Sequence, residues 1–310
     1  MKVLITGVHG FIGTNLVKKF NSQHSIYGLD IISPDKEGVI ETFAWDDLSR
    51  ILEIDVIIHL AGKAHDTKNQ TNAEAYFDIN TGLTKKIYNW FLKSKVKKFI
   101  FFSSVKAAVD TVEGEFLTEE TFPSPIGPYG ESKIAAENYI LENLPKNKQV
   151  YILRPCMIHG PGNKGNLNLL YKIASKGIPW PLGSFDNKRS FCSIDNISYL
   201  IQNLIEKEIE SGIYQVADDK PLSTNELIEF ISVSIGNKAS IWKINQKLIK
   251  SLAKVGDILH LPLNTDRLQK LTESYVVSNE KLKKALGIKN MPVTSRDGMM
   301  RTLESFRGET

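Results

Sequence analysis

In the run Tyr129-Gly130-Glu131-Ser132-Lys133 the tyrosine and the lysine are spaced to share one face of a helix, a turn apart. A phenol that ionises near pH 10 is a poor base at neutral pH, so chemistry at Tyr129 needs a perturbing charge. An ammonium at about 5 Å, with an effective dielectric of about 20, supplies roughly 3 kcal/mol, or about two pKa units. Lys133 is expected to be that ammonium, leaving Tyr129 able to take a hydroxyl proton while hydride leaves for a cofactor. Ser103-Ser104 follow the apolar run Lys98–Phe102, and Ser104 is the hydroxyl expected to hydrogen-bond the reacting oxygen.

A cofactor site is written at the other end of the chain, in Thr6-Gly7-Val8-His9-Gly10-Phe11-Ile12-Gly13. Gly7 permits a tight turn, Gly10 lets the backbone approach a pyrophosphate, and Gly13 allows a helix to pack closely on a strand. The amides of Phe11 and Ile12 open that helix at its positive end. Asp30 lies about twenty residues further on, where a carboxylate accepts both hydroxyls of an adenosine ribose. A 2′-phosphate would set up to about two negative charges against Asp30, and Ile31-Ile32 offer no arginine to relieve them, so NAD is expected in preference to NADP.

These groups need a frame that brings strand ends together, and the hydrophobic pattern provides one. Lys2–Thr6, Ser25–Asp30, Val56–Leu60, Lys98–Ser104 and Gln149–Arg154 read as strands buried on both faces. Phe11–Phe20, Glu74–Leu92 and Tyr129–Leu144 read as crossover helices. The expected fold is α/β, a Rossmann-type doubly wound parallel sheet with a smaller mixed α/β C-terminal domain. The boundary falls near residue 160, with about 190–212 returning to the larger part and 161–310 otherwise forming a substrate domain. Asp195–Glu208, a capping box at Ser223-Thr224-Asn225-Glu226 and a helix Asn279–Leu286 stopped by Gly287 mark helices there. Val105–Pro128 has no helical period, and a connection that long in a compact domain is usually functional or disordered.

With 310 residues, 42% of them hydrophobic, the chain needs neither disulfides nor a structural metal. Cys156 and Cys192 have no C-x-x-C spacing and read as reduced core thiols, and the six histidines form no H-x-x-x-H pair. A net charge of +4, spread along the chain, argues against nucleic acid, and Lys93–Lys98 reads as a solvated helix end. With no apolar run near eighteen residues and a strand starting at Lys2, a cytoplasmic protein without a membrane partner is expected.

The chain resembles the extended short-chain dehydrogenase/reductases, in their nucleotide-sugar epimerase/dehydratase branch. The resemblance rests on the glycine motif, Asp30, Asp55-Val56-Ile57-Ile58-His59-Leu60-Ala61-Gly62, Asn80, Ser103-Ser104, Tyr129-x-x-x-Lys133 and Arg154-Pro155, and it covers nearly the whole chain. It implies Ser104, Tyr129 and Lys133 as the catalytic set, with Tyr129 and Lys133 also binding the cofactor, Lys133 on the nicotinamide ribose. Leu60, Ala61, Gly62, Asn80 and Pro155 line the cofactor side, and Asp46 lies near the adenine. Ser104, Val105, Lys106 and Tyr129 face the sugar, while Asn166, Leu167, Arg189 and Arg267 hold the UDP part of a nucleotide-sugar. A homodimer formed through Glu74–Leu92 and Tyr129–Leu144 is also implied.

Two departures narrow the reaction. Dehydratases of this branch carry Thr-Asp-Glu where this chain has Ser104-Val105-Lys106, which supplies no carboxylate to eliminate water. Classical UDP-galactose 4-epimerases carry asparagine where this chain has Met157. Ser103-Ser104-Val105-Lys106, Arg154-Pro155-Cys156-Met157-Ile158-His159-Gly160-Pro161-Gly162 and Pro181-Leu182-Gly183 are similar to a bacterial surface-polysaccharide subgroup that contains 4-epimerases and 4-ketosugar reductases. Epimerisation at C4 is the leading expectation because NAD selectivity suits an enzyme that recycles its cofactor. Net 4-keto reduction is the alternative, and a catalytically silent dinucleotide sensor a third reading.

Overall fold

The computed structural model describes residues 1–32, 34–63, 72–163, 165–259, 261 and 263–307; of Asn166 only the backbone is described. The strands are β1 (Lys2–Thr6), β2 (Ser25–Leu29), β3 (Thr42–Phe43), β4 (Val56–His59), β5 (Lys98–Phe102), β6 (Gln149–Pro155), β7 (Met157–His159), β8 (Phe191–Ser193) and β9 (Gly212–Val216). Seven of them form one parallel sheet in the order β3-β2-β1-β4-β5-β6-β9, while β7 and β8 pair with each other. Strand order reverses between β1 and β4, the position at which open sheets of this kind bind ligands beyond the strands' carboxyl ends.

Alternate residues explain why the strand runs are apolar throughout. Val3, Ile5, Val56, Ile58, Ile100 and Leu153 face one way, into a core with Leu16, Val17 and Phe20 of α1 (Phe11–Phe20). Leu4, Ile57, Phe99, Phe101 and Ile152 face the other way, into a core filled from the helices that cross there. Those are a short α2 (Ala73–Tyr76), a wider π-helical turn Phe77–Gly82, α3 (Leu83–Lys93), which contributes Ile87, Tyr88 and Phe91, and α4 (Pro128–Glu142), which contributes Ala136 and Ile140. The sequence reading of one continuous helix over Glu74–Leu92 is corrected here: the π turn widens the coil and carries Asn80 and Thr81 inward to hydrogen-bond α4.

A second core lies apart from the sheet. It is built from α5 (Asn166–Ala174), α7 (Thr224–Ser234), α8 (Gln246–Leu259), α9 (Thr265–Thr272) and α11 (Ser295–Phe306). Between these, α6 (Ile194–Glu206) and α10 (Glu280–Leu286) return to the sheet's core. The part of the C-terminal half that belongs to the sheet is therefore larger than expected: β9 extends the sheet beyond β6, and Tyr275, Val277, Leu282, Leu286 and Met291 pack beside it. As read from the sequence, the capping box at Ser223 opens α7 and the left-handed Gly287 ends α10. Cys156 and Cys192 are free and buried, and burial pushes both thiols well up. No helix among the described residues is long and apolar enough to cross a membrane.

The run Lys93–Lys98 is solvated only in part. Lys98, 7% exposed, donates to the carbonyls of Leu204 (3.0 Å), Ile205 (2.7 Å) and Lys207 (2.7 Å), closing the C-terminal end of α6. Lys148 closes α3 in the same way, through Phe91, Leu92 and Ser94. An ammonium at these sites satisfies orphan carbonyls and opposes the negative end of the helix dipole. Lys98→Met keeps the aliphatic stem and removes the donors; it should cost about 1–3 kcal/mol in urea unfolding, whereas Lys97→Met on the exposed side should cost under about 0.5 kcal/mol.

Candidate active site

The first strand ends in a turn that only small residues can make. Gly7 has φ +69°, donates to the Leu29 carbonyl at 2.8 Å, and is so close to β4 that a Cβ would lie 2.9 Å from the Ala61 nitrogen. A Cβ on Gly13 would lie 2.6 Å from the Gly7 carbonyl, so α1 packs directly on the loop. Gly10 caps α1 without a side chain and the first turn carries no acid, which leaves the helix's positive end unneutralised beside Phe11 and Ile12. Asp30 stands next to this loop, with one carboxylate oxygen accepting from the His9 amide (3.0 Å) and the other from Ile31 (2.8 Å). Lys36 was not foreseen. It reaches back from the following loop to donate to the Thr14 hydroxyl at 2.9 Å, and burial lowers its pKa while the charge of Asp30 raises it.

A buried chain of hydrogen bonds sets the next layer. Thr84 donates to the Asn80 carbonyl at 2.6 Å, so its oxygen accepts from Nε2 of His59 at 2.9 Å. His59 Nδ1 is then the acceptor for the Thr6 hydroxyl at 2.6 Å, and the Thr6 oxygen in turn accepts from the Ala61 amide at 3.0 Å. This chain ties β1, β4 and the helical layer together through one neutral imidazole. His59 is 0% exposed, and burial first, then the charge of Lys133, lowers its pKa to about 3. Asn80, fully buried, clasps the backbone past Gly62: it accepts from the Lys63 amide (2.7 Å), donates to the Lys63 carbonyl (3.3 Å) and donates to the Ser132 hydroxyl (3.0 Å).

Tyr129 and Lys133 enter from the first turns of α4. The Tyr129 phenol hydrogen-bonds Ser104 and meets the Tyr76 ring edge-on at 6.2 Å. Ser104 also accepts from the Lys106 amide (3.2 Å), which fixes its hydroxyl at the end of β5. Lys133 is 5% exposed and donates to the Phe102 carbonyl at 2.9 Å; a Cβ on Gly62 would lie 3.1 Å from its ammonium. Behind it, Glu137 accepts from Arg154 Nε (3.0 Å to both oxygens) and Nη2 (2.5 Å), and also from the Ser103 hydroxyl. Burial lowers the Lys133 pKa to about 8 against the opposing pull of Glu137. The phenol moves opposite to the sequence expectation: burial raises it, and the Ser104 hydrogen bond offsets only part of that rise. Desolvation of the phenol therefore outweighs what the chain's own groups contribute towards making Tyr129 acidic.

The remaining candidates spread over both cores. Pro155 is buried at the end of β6, beside Val216 of β9. Val105 is a core residue at 6% exposure, and Lys106 is paired with Asp110 at 3.1 Å. Asp46, expected near the adenine, has a side chain that is 99% exposed and paired with Lys86 at 3.1 Å. Leu167 packs its side chain into the second core, so it can offer a ligand only its backbone; the Asn166 side chain lies outside the described residues. Arg189 is held by backbone bonds to Leu222 and by its Nε on the Glu273 carbonyl at 3.1 Å, and burial lowers its pKa. Arg267 is exposed on α9. Among the described residues no cluster of metal-ligating side chains occurs.

Residues 3–217 match the model of a family described as the NAD dependent epimerase/dehydratase family. The chain belongs to this family. It is 31% identical to the UDP-glucose 4-epimerase of Vibrio cholerae, across 98% of this chain and 95% of that one. To the N-acetyl-alpha-D-glucosaminyl-diphospho-ditrans,octacis-undecaprenol 4-epimerase of Escherichia coli O157:H7 it is 28% identical, across 91% and 84%. The UDP-glucuronic acid 4-epimerase from Bacillus cereus, solved with NAD, shares the fold at a TM-score of 0.74 and 20% identity, across 100% and 99%. As a member of this family the chain uses NAD, and its residues fit that cofactor: an uncapped helix end, a glycine cradle that a Cβ would fill, and a fixed carboxylate at the end of β2.

Two outcomes follow. His59 stays neutral when folded, so the unfolded chain takes up one more proton below pH 6.5; stability should fall by about 1.4 kcal/mol per pH unit from there towards pH 3, while the His59 Cε1–H resonance does not move between pH 8 and 5. The Asp30 and Lys36 charges oppose each other. Asp30→Asn should narrow the preference for NAD over NADP by about tenfold and Lys36→Ala should widen it, as read by fluorescence titration of both cofactors.

Proposed function

We propose that this family member is a 4-epimerase of a UDP-hexose or UDP-N-acetylhexosamine, supplying polysaccharide precursors. The hydrogen bond between Ser104 and Tyr129, beside the buried Lys133, carries this reading. Tyr129 would exchange the proton of the sugar's C4 hydroxyl, and Ser104 would hold the same oxygen as it gains and loses carbonyl character. Lys133 contributes positive charge in a site that excludes water, anchored through Phe102 and backed by Glu137. NAD, which the Gly7–Gly13 turn and Asp30 would hold, would supply the hydride-transfer chemistry at C4 and a cationic ring with the charge that the phenol lacks in the chain alone. Val105 and Lys106 bring no carboxylate to eliminate water, which supports epimerisation over dehydration. Arg189, already held in place, and Arg267 are suited to the substrate's diphosphate. The α3 and α4 faces are the proposed homodimer contact.

A second reading keeps the reaction and changes the carrier. The Escherichia coli relative is named for a sugar joined by diphosphate to undecaprenol, and the sugar diphosphate is common to both kinds of carrier.

Purified protein should interconvert UDP-GlcNAc and UDP-GalNAc, or the glucose pair, without added reductant. Tyr129→Phe should lower kcat by about 10²–10⁴-fold while leaving NAD bound. Turnover only of the polyprenyl diphosphate sugar would assign the second carrier. Stoichiometric NADH consumption with a 4-ketosugar, and no interconversion, would replace epimerisation by net reduction.

A further inference from the structure

Helix α8 is fixed on one side and bare on the other. Ile249, Ala253 and Gly256 form its inner face, and the first two sit in the second core. A Cβ on Gly256 would lie 1.8 Å from the Leu263 carbonyl, so the segment leading into α9 runs directly over the helix. Asp257 then accepts from the Thr265 amide (3.0 Å) and hydroxyl (2.8 Å). These contacts set the rotation of α8 about its axis.

In that setting Leu248, Leu252, Val255 and Leu259 follow one another at helical spacing along an outer flank and are 46–61% exposed; Ile258 (78%) and Leu261 (47%) widen the patch, and Trp242 (54%) precedes it. Isolated exposed leucines are ordinary, but a contiguous stripe of this kind marks a binding surface. Lys247, Lys250 and Lys254 occupy the other outer flank, also at helical spacing. From 238 to 261 the chain carries five lysines, Lys238 and Lys243 completing the set, against one acid, Asp257, whose oxygens are taken by Thr265.

We propose that α8 is a docking helix that lays this protein on an anionic phospholipid surface. The leucine flank enters the boundary of the acyl chains, and the lysines, extended on aliphatic stems, reach the phosphates. A second copy is a poorer occupant, because pairing α8 with itself brings two sets of lysines together with no acidic partners to meet them. The proposal departs from the sequence expectation of no membrane partner and invokes surface attachment without a membrane span. The inference stands on the helix itself and does not depend on the reaction assigned above.

The test is co-sedimentation of the full-length protein with extruded vesicles of phosphatidylcholine alone or mixed with phosphatidylglycerol. Wild-type protein should pellet with the anionic vesicles, and rising salt should release it. Lys247→Gln/Lys250→Gln/Lys254→Gln should weaken partitioning by about a hundredfold, roughly a factor of five for each lysine. Leu252→Ser/Leu259→Ser should abolish it, and both variants should keep the wild-type melting temperature and NAD affinity. The proposal is overturned if wild-type protein remains in the supernatant, or if neither variant changes the pelleted fraction. It is equally overturned if the stripe proves to be a self-association surface, shown by light scattering in which Leu252→Ser/Leu259→Ser splits a wild-type oligomer that ignores vesicles.

Discussion

The grip of Arg154 on the carboxylate of Glu137 is the interaction on which the rest of the site depends. Both side chains are almost wholly buried, at 1% and 0% exposure. The ion pair spans β6 and α4, and the Ser103 hydroxyl adds the end of β5. Those three elements carry Pro155, Tyr129 with Lys133, and Ser104. A buried pair of this kind is a costly way to gain stability, since each charge must be stripped of water. Its evident use is placement: the carboxylate fixes the register of α4 against two strand ends and offsets the ammonium one helical turn away. Losing either partner would leave a naked charge inside the protein.

The polar chain through His59 performs the equivalent task on the cofactor side. Its members are uncharged, so the cost of burial is met by directed hydrogen bonds, every donor finding one acceptor from Asn80 to Ala61. The π turn is the conformational price of aiming Asn80 inward. Cradle and catalytic helix thus share a wall, because Asn80 bonds both Lys63, just beyond Gly62, and Ser132 of α4.

Much of this was legible in the chain, for identifiable reasons. Strands buried on both faces show as unbroken apolar runs, and a glycine turn followed by an amphipathic helix leaves a local signature, so β1, α1, β4, β5 and the Tyr129–Lys133 pair could be placed by pattern. What escaped notice depends on contacts distant in sequence. Lys98 looks like any surface lysine until α6 arrives more than a hundred residues later to lay three carbonyls beside it. Lys36 acquires meaning only through Thr14. β7 and β8, three residues each, are too short for periodicity to reveal, and β9 is interrupted by Gln215 within its apolar run. The sign of the shift at Tyr129 was misjudged because spacing gives proximity to Lys133 but says nothing about burial, and desolvation of the phenol is the largest effect there.

The path of the chain between its two hydrophobic interiors has its own consequence. Residues 167–191 build the smaller interior, 192–217 return to the larger, 222–271 go back, 275–291 return once more, and 299–306 finish in the smaller. Neither interior is a continuous stretch of polypeptide. No single scission yields two self-sufficient pieces, and neither body could be lent whole to another protein by joining one segment end to end. The halves must be inherited, synthesised and folded together, and any opening between them is confined to the swing that several parallel tethers allow.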